Sequence, residues 1–134
     1  MPQQKALFIC NTYYQLIVAL ILRFTELRDN NDVSIVISDM SNNTEIVTQR
    51  LKSIGCFKNV YYAHSKSKFA LNTIKYDIDQ LKRLLFFKKY IKEIFGKCKL
   101  DFNSIYFYNN DVLTYNIFYA CSLTSKQVKC FRFE

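Results

Sequence analysis

Glycine and proline are scarce in this chain, whose 134 residues include two glycines and one proline. That scarcity argues against long flexible linkers, and the length is typical of a single domain. His64 is the only histidine, and no cluster of metal-ligating residues surrounds it, so we expect no zinc site. The five cysteines are odd in number and include no CxxC pair, which favours reduced thiols in a cytosolic protein.

Long apolar runs are also missing. The N-terminal apolar stretch is interrupted by Asn11, Thr12 and Gln15, and no small-residue cleavage site follows, so it lacks the pattern of a signal peptide. The uninterrupted run Leu16–Leu22 is too short to span a bilayer. We therefore expect a cytoplasmic protein, with a peripheral position on the inner membrane as an alternative.

Basic charge is concentrated in one third of the chain. Residues 58–99 contain eleven Lys or Arg and three Asp or Glu, a net charge of +8, whereas the remainder contains eight of each. Such asymmetry favours a local anionic partner. Because the sequence has no helix-turn-helix, RNP or zinc-finger signature, we expect no specific nucleic-acid partner.

Apolar periodicity predicts alternating strands and helices. The predicted strands are Lys5–Cys10, Asp32–Ser38, Lys58–Ala63, Phe102–Tyr108 and Lys126–Phe133. The predicted helices are Tyr14–Arg28, Thr44–Ile54, Tyr76–Lys97 and Asp111–Leu123. This alternation predicts an α/β fold, with a five-stranded parallel sheet and helices on both faces. Right-handed crossovers favour the Rossmann-like strand order 3-2-1-4-5.

The candidate binding residues follow the first and fourth strands, because ligands of open α/β sheets bind at the carboxyl ends of the strands. These candidates are Asn11, Thr12, Gln15, Asn109, Asn110 and Asp111. The first loop contains no glycine, so it does not match a dinucleotide-binding loop, and its amides and hydroxyl suit sugar hydroxyls or a weakly held anion. Two interpretations stay open for both loops: helix capping alone, or capping together with ligand contact.

Two further polar residues follow the second and third strands. Asp39 occupies a place where an acid can hold a ribose, but without a glycine loop a helix-capping or solvated role is favoured. His64 has no Asp, Ser or Cys partner within sequence reach, so we predict no catalytic role for it. No nucleophile elbow, Walker loop or paired-carboxylate motif is present, and we predict neither catalytic residues nor metal ligands.

The predicted helix Tyr76–Lys97 carries two apolar stripes with basic residues between them. One stripe contains Ile78, Leu81, Leu84, Leu85, Ile91 and Phe95, and the other contains Phe86, Phe87, Tyr90 and Ile94. Packing on a sheet requires only one stripe. The second stripe therefore meets a partner, namely another domain, a second copy of the chain or an anionic membrane surface, or else the helix is kinked or covered by loops.

The opening KALFICNTYYQLIVALIL resembles the start of the bacterial family 52 glycosyltransferases, which include lipooligosaccharide sialyltransferases and related capsule enzymes. Cys10, Asn11, Thr12 and Gln15 match the family's C-[NL]-T-x-x-Q loop, although many members have proline where this chain has Tyr13 or Tyr14. The stretch SIYFYNNDVLTYNIFY resembles the family's fourth strand and its loop, and CFRFE resembles the strand before its acidic turn.

This resemblance implies a two-domain, GT-B-like enzyme in which residues 1–134 form the single N-terminal, acceptor-side domain. It implies a nucleotide-sugar donor, usually CMP-sialic acid, held mainly by a C-terminal domain that these residues do not include. It also implies a glycan acceptor, no metal or other cofactor, and no activity for this domain alone. The alternative is a stand-alone α/β binding or regulatory module with an anionic partner such as nucleic acid or a membrane.

Overall fold

The computed structural model describes residues 4–124 and 127–132. The strands are β1 Ala6–Cys10, β2 Val33–Ser38, β3 Val60–Ala63, β4 Ser104–Phe107 and β5 Lys129–Arg132. The helices are α1 Tyr13–Phe24, α2 Thr44–Ile54, α3 Ile74–Leu85, α4 Phe87–Phe95 and α5 Val112–Ser122. The strands form one parallel sheet in the order β3-β2-β1-β4-β5, which confirms the predicted fold class and order. Lys126 and Phe133, the ends of the fifth predicted strand, lie outside the described residues.

Strand β1 is the centre of the sheet. It pairs with β2 on one side and β4 on the other, so that Phe8 lies opposite both Ile35 and Tyr106. All five residues of β1 are buried, as the continuous apolar run predicts for a strand covered on both faces. Phe8 packs with α1 and α2, whereas Leu7 and Ile9 pack with α4 and α5.

The helices form a layer on each face of the sheet. Residues of α1 and α2 share a buried cluster with one set of strand side chains, and residues of α4 and α5 share a second cluster with the alternate set. Asp111 begins α5 as its N-cap, and Gly55 ends α2 with a φ of 74°, the left-handed conformation that favours glycine. Within the described part of the chain, no helix combines the length and apolar character needed to cross a membrane.

Helix α1 is less buried than its wide apolar stripe predicts. The side chains that it buries against the sheet are Gln15, Leu16 and Ala19. The sequence places Phe24 on the apolar stripe of this helix and lets Ile17 and Ile21 widen it, which predicts a well-buried helix, but all three side chains are exposed. The prediction of a deeply buried helix is therefore wrong, because one face of a sheet can cover only one side of a helix.

The long third helix of the prediction is broken at Phe86. The backbone there has φ −104° and ψ 38°, so that α3 ends and α4 begins at the same residue. The kinked-helix alternative is thus confirmed. The break gives α4 its own direction, and its Tyr90, Ile91, Ile94 and Phe95 are buried against the sheet.

Helix α3 lies with its apolar side outward, and none of its residues is buried. Its half-buried residues are Tyr76, Asp79, Gln80 and Arg83, which share one face at helical spacing. Its aliphatic residues are exposed on the other side. The prediction that the first stripe packs on the sheet is correct for Ile91 and Phe95 of α4 and wrong for the stripe residues of α3: Ile78, Leu81, Leu84 and Leu85.

Strand β5 is an exposed edge. All four of its residues are exposed, including Cys130, although its position in a predicted strand favours a buried thiol. Phe131 nevertheless stacks on Tyr106 with ring centroids 4.8 Å apart, and Tyr106 stacks on Phe8 at 4.7 Å. This aromatic ladder joins the edge strand to the central one.

Substitution of two helical isoleucines tests which helix surfaces are buried in the core. Ile117 of α5 is fully buried, whereas Ile21 of α1 is 57% exposed. We expect Ile117→Ala to lower the free energy of unfolding by about 2–5 kcal/mol and Ile21→Ala to change it by less than about 0.5 kcal/mol. Urea denaturation followed by circular dichroism measures both, and a large loss for Ile21→Ala would mean that the outer side of α1 is covered.

Candidate functional site

The carboxyl ends of β1, β2 and β4 meet at one edge of the sheet, as the parallel arrangement requires. The loop after β1 consists of two residues, Asn11 and Thr12, before α1 begins. Asp39 follows β2, and Asp111 caps α5 after β4. The structure therefore places the two predicted groups of candidate residues side by side.

Asn11 ties these loops together from a buried position. Its side-chain amide donates to Asp111 Oδ2 at 2.7 Å, and its Oδ1 accepts from Ser38 Oγ at 2.6 Å. Its backbone carbonyl accepts from Ser41 Oγ at 2.9 Å. One asparagine thus connects the ends of three neighbouring strands, and these bonds occupy polar groups that we considered for ligand binding.

Thr12 and Gln15 have structural roles in the first turn of α1. Thr12 Oγ1 accepts from the Gln15 backbone N–H at 3.2 Å, which is an N-cap bond. Gln15 is buried, and its Oε1 accepts from the Asn11 backbone N–H at 2.7 Å. The capping interpretation is confirmed for Thr12, whose side chain remains exposed. Contact with a ligand remains a prediction.

The loop after β4 likewise contains one residue with a structural role and others that are more accessible. Asp111 Oδ1 accepts from the Thr114 backbone N–H at 2.9 Å, so this residue caps α5 while its other oxygen meets Asn11. Asn110 is exposed and Asn109 is half-buried. Of the six predicted residues, Thr12 and Asn110 are the exposed ones.

Asp39 holds the connection between β3 and α3 rather than capping a helix. Its Oδ1 accepts from the backbone N–H groups of Ser65 at 2.8 Å and Lys66 at 2.7 Å. Its Oδ2 lies 3.7 Å from Nδ1 of His64, an ion pair when the imidazole is protonated. Sequence spacing did not reveal this pairing because the two residues follow different strands.

Arg83 holds the same connection from the other side, and sequence reasoning missed it. Its guanidinium donates to the carbonyl of Ser65 and, at 3.4 Å, to that of Lys66. Its Nε lies 3.6 Å from Asp79 Oδ2, one helical turn away. The i, i+4 spacing of Asp79 and Arg83 is the one sequence signal that could have indicated this role.

Two recesses lie beside this edge, and Arg83 lines both. The larger, of about 500 Å³, lies between the end of β3 and the α3–α4 junction. It is lined by His64, Asp79, Lys82, Phe86, Lys89, Tyr90 and Glu93 in addition to Arg83. The smaller, of about 210 Å³, includes Ser65, Tyr76 and Asp111 in its wall. The accessible space is thus displaced from the buried Asn11 network towards α3 and α4.

Tyr90 contributes a buried hydroxyl to the wall of the larger recess. Within residues 4–124 and 127–132, that hydroxyl has no hydrogen-bond partner. Burial raises the pKa of Tyr90 to about 12, an effect that the positive charge of Arg83 opposes. The Arg83 guanidinium lies 5.6 Å from the centre of the Tyr90 ring. An unpaired buried hydroxyl is costly, so a ligand hydroxyl that reached it through a shift of the covering side chains would gain a hydrogen bond.

The wall of the larger recess contains hydrogen-bond donors, hydrogen-bond acceptors and an aromatic ring. Lys82 and Lys89 donate, Asp79 and Glu93 accept, and Phe86 presents an exposed aromatic face. Such a mixture suits a polyhydroxylated ligand, which needs donors and acceptors around an apolar ring face. No group of three or more His, Cys, Asp or Glu in the described ranges could hold a metal ion.

No family model, curated protein or solved structure matches this chain. The resemblance of the loop Cys10–Gln15 to family 52 glycosyltransferases therefore stays a prediction from the residues alone. The fold class and the geometry of the carboxyl edge are observed independently of it.

The Asn11 network predicts a pH-dependent effect for an isosteric substitution. Asn11→Asp replaces a donor to Asp111 by a second carboxylate, and like charges in one site raise the pKa of one carboxyl. Because the folded pKa is raised, the variant should match the wild type below about pH 4, the ordinary pKa range of a carboxyl, and lose stability as the pH rises from there to the raised pKa. A shift of two units would correspond to about 2.7 kcal/mol.

Urea denaturation at about pH 4 and about pH 8 compares the variant with the wild type at each pH. Asn42→Asp, in an exposed loop, is the matched control and should show no such dependence. Equal stability of Asn11→Asp and wild type at both pH values would show that Asn11 and Asp111 are not in contact.

Proposed function

We propose that this chain is the N-terminal, acceptor-side domain of a glycosyltransferase that builds a bacterial surface glycan, lipooligosaccharide or capsule. In this proposal the enzyme is sialyltransferase-like and GT-B-like. A second domain binds the nucleotide-sugar donor, CMP-sialic acid, and supplies the catalytic groups. The Rossmann-like sheet and the C-N-T-x-x-Q pattern of Cys10–Gln15 support this assignment.

The observation that carries the proposal is the recess of about 500 Å³ at the α3–α4 junction. Its volume lies in the range of small-molecule sites and accommodates an oligosaccharide end. Phe86 offers a face for a pyranose ring, while Asp79 and Lys89 offer an acceptor and a donor for its hydroxyls. Holding the acceptor is a binding role, and it requires no catalytic group from this domain.

The first βα loop supports an acceptor role over a nucleotide role. It is two residues long, and the backbone N–H of Asn11 is already donated to Gln15. A pyrophosphate needs free backbone N–H groups at a glycine-containing turn. We therefore assign the donor to a different domain.

A binding module with an anionic partner is the second candidate function. The concentration of positive charge in residues 58–99 favours it. Binding to single-stranded or duplex nucleic acid that weakens steeply with salt would support this candidate over the first.

Tyr90→Phe separates glycan binding from folding. Because the Tyr90 hydroxyl has no partner in the described structure, its removal should leave the free energy of unfolding unchanged or raise it slightly. If a sugar hydroxyl pairs with it, the loss of about 1 kcal/mol weakens binding about fivefold. Two-dimensional NMR titration with neutral and acidic oligosaccharides measures this, with shifts expected around α3 and α4.

Tyr115→Phe is the matched control, since Tyr115 is an exposed tyrosine on α5 that lies outside the larger recess. We expect it to bind as the wild type does. Absence of saturable binding by any oligosaccharide would contradict the acceptor role. Sugar transfer catalysed by residues 1–134 alone would contradict the assignment of donor and catalysis to a second domain.

A further inference from the structure

The exposed side of α3 is an apolar stripe. Its members are Ile74, Ile78, Leu81 and Leu85, with 78%, 49%, 55% and 67% of their surface exposed. At 3.6 residues per turn these four lie within about 60° of one another on the helix. We call them the α3 stripe. Because Asp79 and Arg83 face the protein from the opposite side, the stripe cannot also be turned towards the sheet.

Basic residues border the α3 stripe. Lys75 and Lys82 lie along one flank and line a groove together with Ile78, Phe69 and the carboxylate of Asp79. Lys68 lies over the Phe69 ring, with its Nζ 5.3 Å from the ring centre. The surface therefore combines aliphatic side chains with lysines, in the segment that holds the whole positive excess of the chain.

The exposed stripe of α1 provides a comparison within the same molecule. Tyr14, Ile17, Ile21 and Phe24 are exposed along that helix. Its one basic residue, Arg23, is engaged with the carbonyls of Cys56 and Leu27. Apolar exposure is thus shared by α1 and α3, whereas the lysine border distinguishes α3.

We propose that the α3 stripe and its lysines dock this domain on an anionic lipid surface. Lysine is depleted at protein–protein interfaces, where its ammonium loses water. At a lipid surface the same side chain extends to the phosphates while the aliphatic stripe enters the boundary of the acyl chains. The helix is about 18 Å long at 1.5 Å per residue and lies along the surface.

This docking makes the second candidate function, an anionic partner, specific to a lipid surface, and it does not depend on the glycosyltransferase assignment. It places the larger recess close to the lipid, because Lys82 belongs both to the wall of the recess and to the border of the stripe. Lipid binding and oligosaccharide binding have separate readouts, so either can fail while the other succeeds.

Vesicle co-sedimentation tests the docking surface. We expect the chain to bind vesicles of phosphatidylcholine mixed with phosphatidylglycerol, to bind pure phosphatidylcholine weakly, and to dissociate as salt is raised. Ile78→Gln combined with Leu81→Gln should weaken binding about tenfold or more. Lys75→Gln combined with Lys82→Gln should weaken it about 30-fold, at about 1 kcal/mol for each lysine.

Matched controls make these losses specific. Ile17→Gln with Ile21→Gln removes the exposed residues of α1, and Lys52→Gln removes a lysine of α2. Both controls should bind as the wild type does, and circular dichroism should show all variants folded. Equal losses for the α1 and α3 variants, or equal binding to both kinds of vesicle, would overturn the proposal. So would a dimer in sedimentation equilibrium that the α3 substitutions dissociate, because the stripe would then serve self-association.

Discussion

Asp39 and Arg83 make hydrogen bonds to the backbone of Ser65 and Lys66. These bonds determine which face of α3 packs against the rest of the protein. Asp39 accepts both backbone N–H groups, and Arg83 donates to both carbonyls. Charged groups in a partly buried position must stay paired, since an unpaired one costs several kcal/mol. The polar face of α3 therefore turns inward, and the apolar face is left outside.

This orientation has an energetic consequence for α3. Full burial of an aliphatic side chain contributes about 1.5–3 kcal/mol, and four such side chains remain largely exposed here. A hydrogen bond to a charged group contributes a comparable amount, about 1.5–3 kcal/mol. Because the two contributions are comparable, the polar contacts of α3 can offset the exposure of its aliphatic side, and a partner that covered that side would stabilise the helix further.

Most of the fold could be predicted because its signals are local. The continuous apolar run of β1 predicts a central strand, and Gly55 marks the end of α2 where the structure has it. Topology then brings the loops after β1 and β4 together at the carboxyl edge of the sheet. The sequence could therefore place Asn11 and Asp111 near each other. No side-chain contact had to be known for either step.

The orientation of α3 and the break at Phe86 could not be predicted. Periodicity shows that a helix has two unlike faces, but not which face meets the protein. That choice depends on Arg83 reaching the backbone of Ser65, 18 positions earlier in the chain. Glycine and proline, which usually mark a break in a helix, are absent from the residues around Phe86. The larger recess, which these features create, could therefore not be predicted from the sequence. The predicted site was instead placed on residues most of which make structural hydrogen bonds within the fold.

The outward orientation of the α3 stripe is the central claim, since the larger recess and the lipid-docking surface both depend on it. Solvent paramagnetic relaxation enhancement of methyl NMR signals measures it directly. With a soluble gadolinium agent, the methyl signals of Ile78 and Leu81 should broaden strongly, while those of Ile91 and Ile94 in α4 should broaden little. Equally weak broadening in both helices would mean that α3 packs its apolar side inward, and both proposals would then fail.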